Sequence, residues 1–389
     1  MTDNSITRTF RLELSALRAS RWETALAVWL PALLVLVLWA IFSVGIPREL
    51  PVAVVDLDHS ALSRKVVRYL DASPVLNVVK SFPSVHDAQA SIESGEVYAL
   101  ISIPDNLERS VYRGESPAVT VFFNAQYLLV AKLISSTMIE IETNIAVELG
   151  VAKILPKLPV FSAAMAVSMP VRAQITPLYN SNLSYTQFLL PGIVAALFQV
   201  VICCMTVLSI GRAFQSRYLK DWTADGAWKL LIGKLLPYTI LYFIYGLLAL
   251  GFFFVSLNFP LQGTLFPLIP TVLFFVLACQ SLGVLFFALA FDVELALSLA
   301  GAFCAPAFAF LGITFPQSDM SKFAAFWREL MPAAHYMDAY VYQTSYAAGW
   351  AGQLRPSLIL LCFCLLFPLC VSLIQFRLRR TDDQAYSAA

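Results

Sequence analysis

Five stretches without a single Asp, Glu, Lys or Arg, residues 25–46, 173–211, 235–291, 295–318 and 356–376, decide what this chain can become. A helix crosses the hydrocarbon core of a bilayer with roughly 20 apolar residues. Each stretch is long enough for one crossing. Residues 235–291 are long enough for two, with a break at the turn-forming Asn258, Pro260 and Gly263. In residues 173–211 the apolar part starts near Tyr185, after Pro177 and Asn180. Six transmembrane helices are expected. The composition agrees: 59% of the 389 residues are hydrophobic and 13% are charged, where an ordinary soluble domain has roughly a quarter charged.

Lys and Arg in the short connections set the orientation. With the N-terminus inside, the inner segments hold Arg8, Arg11, Arg18 and Arg21, then Arg212, Arg217, Lys220, Lys229 and Lys234, then Arg377, Arg379 and Arg380. The outer connections hold Lys322, Arg328 and Arg355. Both termini are therefore expected in the cytoplasm; residues 47–184 are left out of this comparison, because large domains translocate regardless of charge. The first stretch is long for a signal-peptide core and no small-residue cleavage site follows it, so it is taken as a span. A net charge of +1 with scattered basic residues gives no nucleic-acid footprint. All seven cysteines lie in apolar runs and are read as packing residues rather than a disulfide or metal framework.

In residues 1–24, Phe10, Leu14 and Leu17 recur at helical spacing, with Arg8, Arg11 and Arg18 available for the other face. This is an amphipathic helix for the inner membrane surface, serving either as an anchor or as a contact for a cytoplasmic partner. Residues 47–184 contain nearly half of the charged residues and cannot lie in hydrocarbon. Strand-like runs at 51–57, 75–80, 97–103 and 118–123 alternate there with helical segments at 60–71, 84–94 and 105–112, the pattern of a small α/β domain. Residues 125–155 then suit one long helix with Leu129, Leu133, Ile141 and Ile145 on a packed face. Asp56 and Asp58 have the spacing that can hold a divalent cation. They end a strand and precede a helix, however, where Asp58 or Ser60 caps free amides. His59, His86 and His335 are dispersed, and no metal site is expected.

Catalytic motifs are missing. Gly233 and Lys234 lack the upstream spacing of a phosphate-binding loop, and no GxSxG or HExxH occurs. The charge-free spans also lack an ionisable relay for ion coupling, so a transporter of this kind would draw its energy from a cytoplasmic partner acting on the inner loops. The loop at residues 211–234 is shaped for one. Arg212, Arg217 and Lys220 can meet carboxylates or lipid phosphates. Phe214, Tyr218 and Trp222 recur every four residues, as a stripe for a groove or as interfacial rings beside snorkelling cations. Near the other end, residues 319–355 are dense in aromatic rings, among them Trp327 and Tyr336, with His335 and Asp338 close by. They form an aromatic belt, or an exit gate or adaptor contact.

The runs VVDLDHSALSR at 54–64, Ile103 and Pro104 followed by Leu107 and Gly114, Asn180 then Pro191 and Gly192 at the entry to span two, GKLLPY at 233–238, and FLGITFP at 310–316 followed by Met331 and Pro332 occur in a telling order. Together they resemble the permease subunits of ABC-2 type exporters, in the branch with a large extracytoplasmic domain between the first two spans. The resemblance implies a permease that dimerises, as a homodimer or with a homologous permease, and binds two cytoplasmic ATP-binding subunits. It implies that this chain has no cofactor of its own, that ATP and magnesium sit on the partner subunit, and that the loop after span two contains a coupling helix seated in the ATPase. It also implies that the segment between spans five and six folds back toward the outer face. Thr223, Trp228, Gly233, Lys234, Pro237 and Tyr238 fit the family's loop pattern, with Ala224 in a proline position. Phe214, Gln215, Ser216 and Tyr218 depart from its acidic Gly-Thr part, as in a divergent half of a heterodimer or a pair whose ATPase has co-varied.

The expected organisation is a polytopic α-helical membrane protein with six transmembrane helices and an α/β extracytoplasmic domain inserted after the first. Residues 1–24 are the cytoplasmic helix, 25–46 the first span and 47–184 the outer domain. Residues 185–376 hold spans two to six, with the coupling loop at 211–234 and a re-entrant segment at 319–355, and 377–389 are a cytoplasmic tail. Coupling candidates are Arg212, Phe214, Arg217, Tyr218, Lys220, Trp222, Thr223 and Trp228; gate or adaptor candidates are Trp327, His335, Tyr336 and Asp338. Expected partners are an ABC ATP-binding subunit, a second permease, a periplasmic membrane-fusion adaptor and membrane lipid, all at a bacterial inner membrane. The exported substrate is a drug, a lipid-like molecule or another amphiphile. The competing readings are a membrane-anchored receptor or adaptor acting through its outer domain, and a secondary transporter.

Overall fold

The computed structural model describes residues 5–43, 45, 47–154, 178–180, 184–215 and 226–387. The chain forms two compact units, one from Ile46–Thr176 and one from Met1–Gly45 with Pro177–Ala389.

In the first of these, β1 (Leu50–Asp56), α1 (Ala61–Asp71), β2 (Leu76–Phe82), α2 (Val85–Glu93), β3 (Ala99–Ile103), α3 (Leu107–Arg113), β4 (Thr120–Phe123) and α4 (Leu128–Ile154) follow one another. The sheet order is β2-β1-β3-β4, with β1 parallel to β2 and β3, and β4 antiparallel to β3. Side chains alternate across a strand, and β1 is apolar on both faces. Val52 and Val54 pack with Leu62, Val66, Leu107 and Ile134 from α1, α3 and α4. Ala53 and Val55 pack on the other side with Ala88 of α2. This continuous apolar run marks a strand covered on both faces. The two carboxylates at its end serve the backbone. Asp56 Oδ1 accepts from the amides of Asp58 and His59 at 3.1 and 3.0 Å, Asp58 Oδ2 accepts from the Glu108 amide at 3.1 Å, and Ser60 Oγ caps α1 through the Ser63 amide at 3.0 Å.

The second unit holds six helices long and apolar enough to cross a membrane: Arg21–Phe42, Tyr185–Phe214, Ala227–Ser256, Leu268–Ala290, Val293–Phe310 and Gly349–Arg379. They run alternately. Glu23, Arg212, Ala227 and Phe291 thus gather at one end, called here the loop end, while Phe42 and Thr186 meet at the far end. Spans two and four are the centre, with most side chains buried, and the other four turn one face outward. A Cβ added at Gly283 would lie 2.7 Å from Thr206 Cβ and 2.8 Å from the Cys203 carbonyl oxygen. Only glycine lets these two helices come so close. Several buried neutral polar groups are paired across the helices: Thr239 donates to Gln280 Oε1 at 2.9 Å, Gln353 Nε2 donates to the Ala339 carbonyl at 2.6 Å, and Gln199 Oε1 accepts from the Ala333 amide at 2.9 Å.

These helices outrun the charge-free stretches. Span three takes in Lys229 and Lys234, and span six takes in Arg355, Arg377 and Arg379. A backbone helix continues wherever its amides find carbonyls, and charges near its ends pair or reach out of the apolar layer. Arg377, for instance, lies over the Phe291 ring at 5.5 Å. The expectation of spans free of ionisable groups therefore holds only for their middles. In span five, Pro306 separates Val293–Cys304 from the short turn Ala307–Phe310, as its missing N–H requires. Between spans five and six, helices Lys322–Glu329 and Pro332–Thr344 pack into the far end of the unit, the second of them largely buried.

Candidate functional site

The helix Ser5–Ala19 buries a face centred on an acid. Ile6, Phe10, Glu13 and Leu17 are spaced by four, three and four residues, so they share one side, and Glu13 is only 4% exposed. That face lies on span three. A Cβ added at Gly233 would come within 2.7 Å of Thr9 Cβ and 3.0 Å of the Ile6 carbonyl oxygen, so glycine is what allows the helix this close.

Around Glu13 the structure gathers groups from two spans. Glu13 Oε2 accepts from Lys234 Nζ at 2.7 Å. Glu13 Oε1 accepts from Ser209 Oγ at 2.7 Å, from Tyr238 OH at 3.1 Å and from Arg212. Arg212 also donates to Tyr238 OH at 2.8 Å and pairs with Glu23 at the start of span one. Lys234 makes a further bond to the Ser209 carbonyl at 3.1 Å. Ser209 and Arg212 are three residues apart on span two, and Lys234 and Tyr238 four apart on span three, so each pair projects from one helix face. Two carboxylates balance two cations, which makes their burial tolerable. Span two ends and span three begins around residues 216–225, so the cluster fastens both roots of that segment to the N-terminal helix and to span one.

Of the loop candidates, Arg212 is a member of this cluster. Phe214 turns into the bundle, its ring 4.9 Å from that of Phe287 and 5.2 Å from that of Phe291. Trp228 stands partly exposed at the start of span three. Arg217, Tyr218, Lys220, Trp222 and Thr223 lie outside the described residues. Glu13, Glu23, Ser209 and the linkage of Lys234 with Tyr238 were missed in the sequence reading. The signal that was available is Glu13 itself, an acid exactly in line with Phe10 and Leu17 on the helix.

At the far end, Asp338 and His335 meet around a buried arginine that sequence reasoning did not single out. Arg328 is 1% exposed and pairs with Asp338, with Glu329 Oε1 at 3.9 Å. His335 Nε2 lies 2.9 Å from the Glu329 carbonyl oxygen. Burial pushes the Asp338 carboxyl up, against the pull of Arg328. Trp327 and Tyr336 point elsewhere: Trp327 packs on Phe303 and Phe323 at 5.4 and 5.9 Å, and Tyr336 stacks on Phe275 of span four at 4.9 Å. A cavity of about 370 Å³ opens beside Asp338, with Gln187, Tyr340, Tyr342 and Tyr346 among its walls.

A mostly helical unit with six candidate spans and a buried ion cluster, together with a second, α/β unit, defines a multi-pass membrane protein. The sequence matches the model of the ABC-2 family transporter protein over residues 22–374. The chain belongs to the ABC-2 transporter family, as a permease. It is similar to the "Probable multidrug ABC transporter permease YbhR" of Escherichia coli strain K12 and to the protein of the same name in Escherichia coli O157:H7. Each is 20% identical over 330 residues, covering 84% of this chain and 86% of the relative.

Proposed function

We propose that this chain is the permease subunit of an ATP-driven exporter, moving an amphiphile outward with energy from a separate cytoplasmic ATP-binding subunit that holds ATP and magnesium. The observation behind this reading is the Glu13 cluster. Glu13, Arg212, Lys234 and Tyr238 join the N-terminal helix, span two and span three at the roots of the loop, and Glu23 adds span one. A push on residues 211–234 then moves these helices as one body instead of bending the loop alone. Arg217, Tyr218, Lys220, Trp222, Thr223 and Trp228 supply the surface for the ATPase, and Arg212 carries the load inward. In this reading the loop end faces the cytoplasm of a bacterial cell and the α/β unit lies outside its inner membrane, an orientation that the excess of Lys and Arg in the inner segments supports. A second permease, identical or homologous, completes the translocation path, and a membrane-fusion adaptor meets the far end around residues 319–355. The names of the relatives favour a drug-like substrate.

The test is purification of the tagged chain from its native membrane, identification of what accompanies it, and assays of ATP hydrolysis and substrate efflux. An ATP-binding subunit should copurify. Arg217→Ala with Trp222→Ala should weaken its association, whereas Glu13→Gln with Lys234→Gln, which keeps the cluster neutral, should leave association intact and lower efflux per ATP hydrolysed. A folded chain that comes out alone, even after crosslinking, sinks the proposal and leaves the receptor reading.

A further inference from the structure

The two edges of the sheet in the α/β unit are built differently. In the order β2-β1-β3-β4 the edge strands are β2 and β4, and an edge presents unpaired N–H and C=O groups to any strand that can reach it. β2 carries Lys80, which pairs with Glu96, and its register with β1 skips Val79. A lysine and a bulge of this kind blunt an edge against pairing. β4 has neither. It runs Thr120, Val121, Phe122, Phe123 in even register with β3, and no charged residue occurs from Ser116 to Ala131. Phe122 is 47% exposed.

The hydrogen bonds tell which groups of β4 face outward. Ala99 stands opposite Phe123, Leu100 opposite Phe122 and Ile101 opposite Val121, and opposite residues of an antiparallel pair alternate between hydrogen-bonded and non-hydrogen-bonded. The Asn124 amide donates to the Tyr98 carbonyl at 2.9 Å. Asn124 with Tyr98, Phe122 with Leu100 and Thr120 with Ser102 are therefore the bonded pairs. The other side of β3 agrees: the Leu57 amide donates to the Ile103 carbonyl at 3.1 Å, so residues 103, 101 and 99 face β1. The N–H and C=O groups of Val121 and Phe123 thus point away from β3 and have no partner among the described residues.

We propose that β4 pairs antiparallel with β4 of a second, identical copy of this chain, joining the two sheets across a two-fold axis through Phe122; this rests on the second permease of the proposed function. Charge favours a copy of the same strand as the occupant. On a two-fold axis each charge would meet its own copy, and like charges directly opposite destabilise a pair, so a strand that pairs with itself must be uncharged, as residues 116–131 are. Hydrogen bonding sets the register. With Val121 opposite the partner's Phe123, every outward N–H of one strand meets an outward C=O of the other, and the two Phe122 side chains lie together in the close, non-hydrogen-bonded pair. An edge of 4 residues is too short to hold soluble monomers together. Two chains confined to one bilayer, however, meet at a high effective concentration.

The test uses the full chain in its native membrane, with a thiol introduced into β4 and copper phenanthroline as the oxidant. The unchanged chain, whose cysteines all lie between Cys203 and Cys370, is the control. Phe122→Cys should give a new disulfide-linked dimer. Thr120→Cys should not, because its own copy lies about 14 Å away along the strand at roughly 3.4 Å per residue, beyond the roughly 7 Å between Cα atoms that a disulfide bridges. Phe123→Pro added to Phe122→Cys removes an outward N–H and leaves the ladder to β3 intact. It should cut the linked fraction about fivefold or more with thermal unfolding unchanged. Native mass spectrometry counts the copies in each complex in parallel. Two copies with no link at Phe122→Cys, or with a stronger link at Thr120→Cys, overturn the pairing and leave the exporter reading intact. One copy beside a different permease overturns it too, whereas a complex with no second permease sinks that part of the exporter reading as well.

Discussion

At the loop end, Glu13 draws Ser209, Arg212, Lys234 and Tyr238 from helices about two hundred residues away in the chain. At the far end, Arg328 finds Asp338 ten residues on. Both centres bury an ion pair in the same unit, yet they fix different things. The first fixes how an N-terminal helix and three spans stand relative to one another. The second holds the two helices of one segment, and Asp338 keeps part of its surface in contact with solvent. Buried charge thus acts as a tertiary lock in one place and as a local clasp in the other.

Removing Glu13 should be the most damaging change. Glu13→Ala leaves Lys234 buried with no carboxylate and Arg212 with Glu23 alone, and breaking a buried pair in this way costs about 3–5 kcal/mol. Thermal unfolding in nanodiscs should show this loss. Glu13→Gln combined with Lys234→Met should recover part of it, because no charge is then left unpaired. If the double variant is no more stable than Glu13→Ala, Glu13 and Lys234 are not coupled and the lock is wrongly assigned.

Arg328→Met should cost less, about 2 kcal/mol, since Asp338 and Glu329 are partly exposed and can rehydrate. The Asp338 carboxyl is held above its ordinary value of 3.8 chiefly by burial. A carboxyl raised on folding contributes stability that is present below the unfolded value and is lost as pH rises through the folded value. Asp338→Asn should therefore flatten the stability profile between pH 3.8 and the folded value, and Arg328→Met should steepen it by removing the cation that opposes burial. Unfolding followed across this pH window separates the two; identical profiles for both variants would show that Asp338 does not titrate against Arg328.

The spans and the α/β elements could be read from the sequence because each rests on a local pattern: the absence of charge in one case, two-residue and helical periodicity in the other. The charge centres could not. Hydropathy treats Arg328, set among Phe323, Phe326 and Trp327, as an exposed cation, and its burial depends on where the next helix returns. Lys234 stood out as an inner-side cation and, with Tyr238, as part of a family motif, and nothing in their neighbourhood points at Glu13, which lies in a different segment altogether. Phe214, the first ring of the aromatic stripe, could not be placed from spacing for a related reason. Spacing says that a ring has a face to share, but not that Phe287 and Phe291 already occupy it.

A third ion pair sets the lower limit of the comparison. Lys65 and Glu148 join α1 to α4 in the α/β unit with both side chains substantially exposed. The hydrogen bond from Lys65 holds the Glu148 carboxyl below its ordinary value of 4.5. A carboxyl lowered on folding contributes stability that is present above the unfolded value and is lost as pH falls through the folded value, the reverse of Asp338. Water and salt screen an exposed pair, so Lys65→Met should cost under about 1 kcal/mol at neutral pH, and less again in 1 M salt, where the screening length is roughly 3 Å. The loss after Glu13→Ala should hardly change with salt, because its site excludes the ions that would screen it. Unfolding both variants at low and high salt therefore tests burial itself as the source of the difference: if the Glu13 effect faded with salt as the Lys65 effect does, the loop-end cluster would be a solvated pair and not a lock.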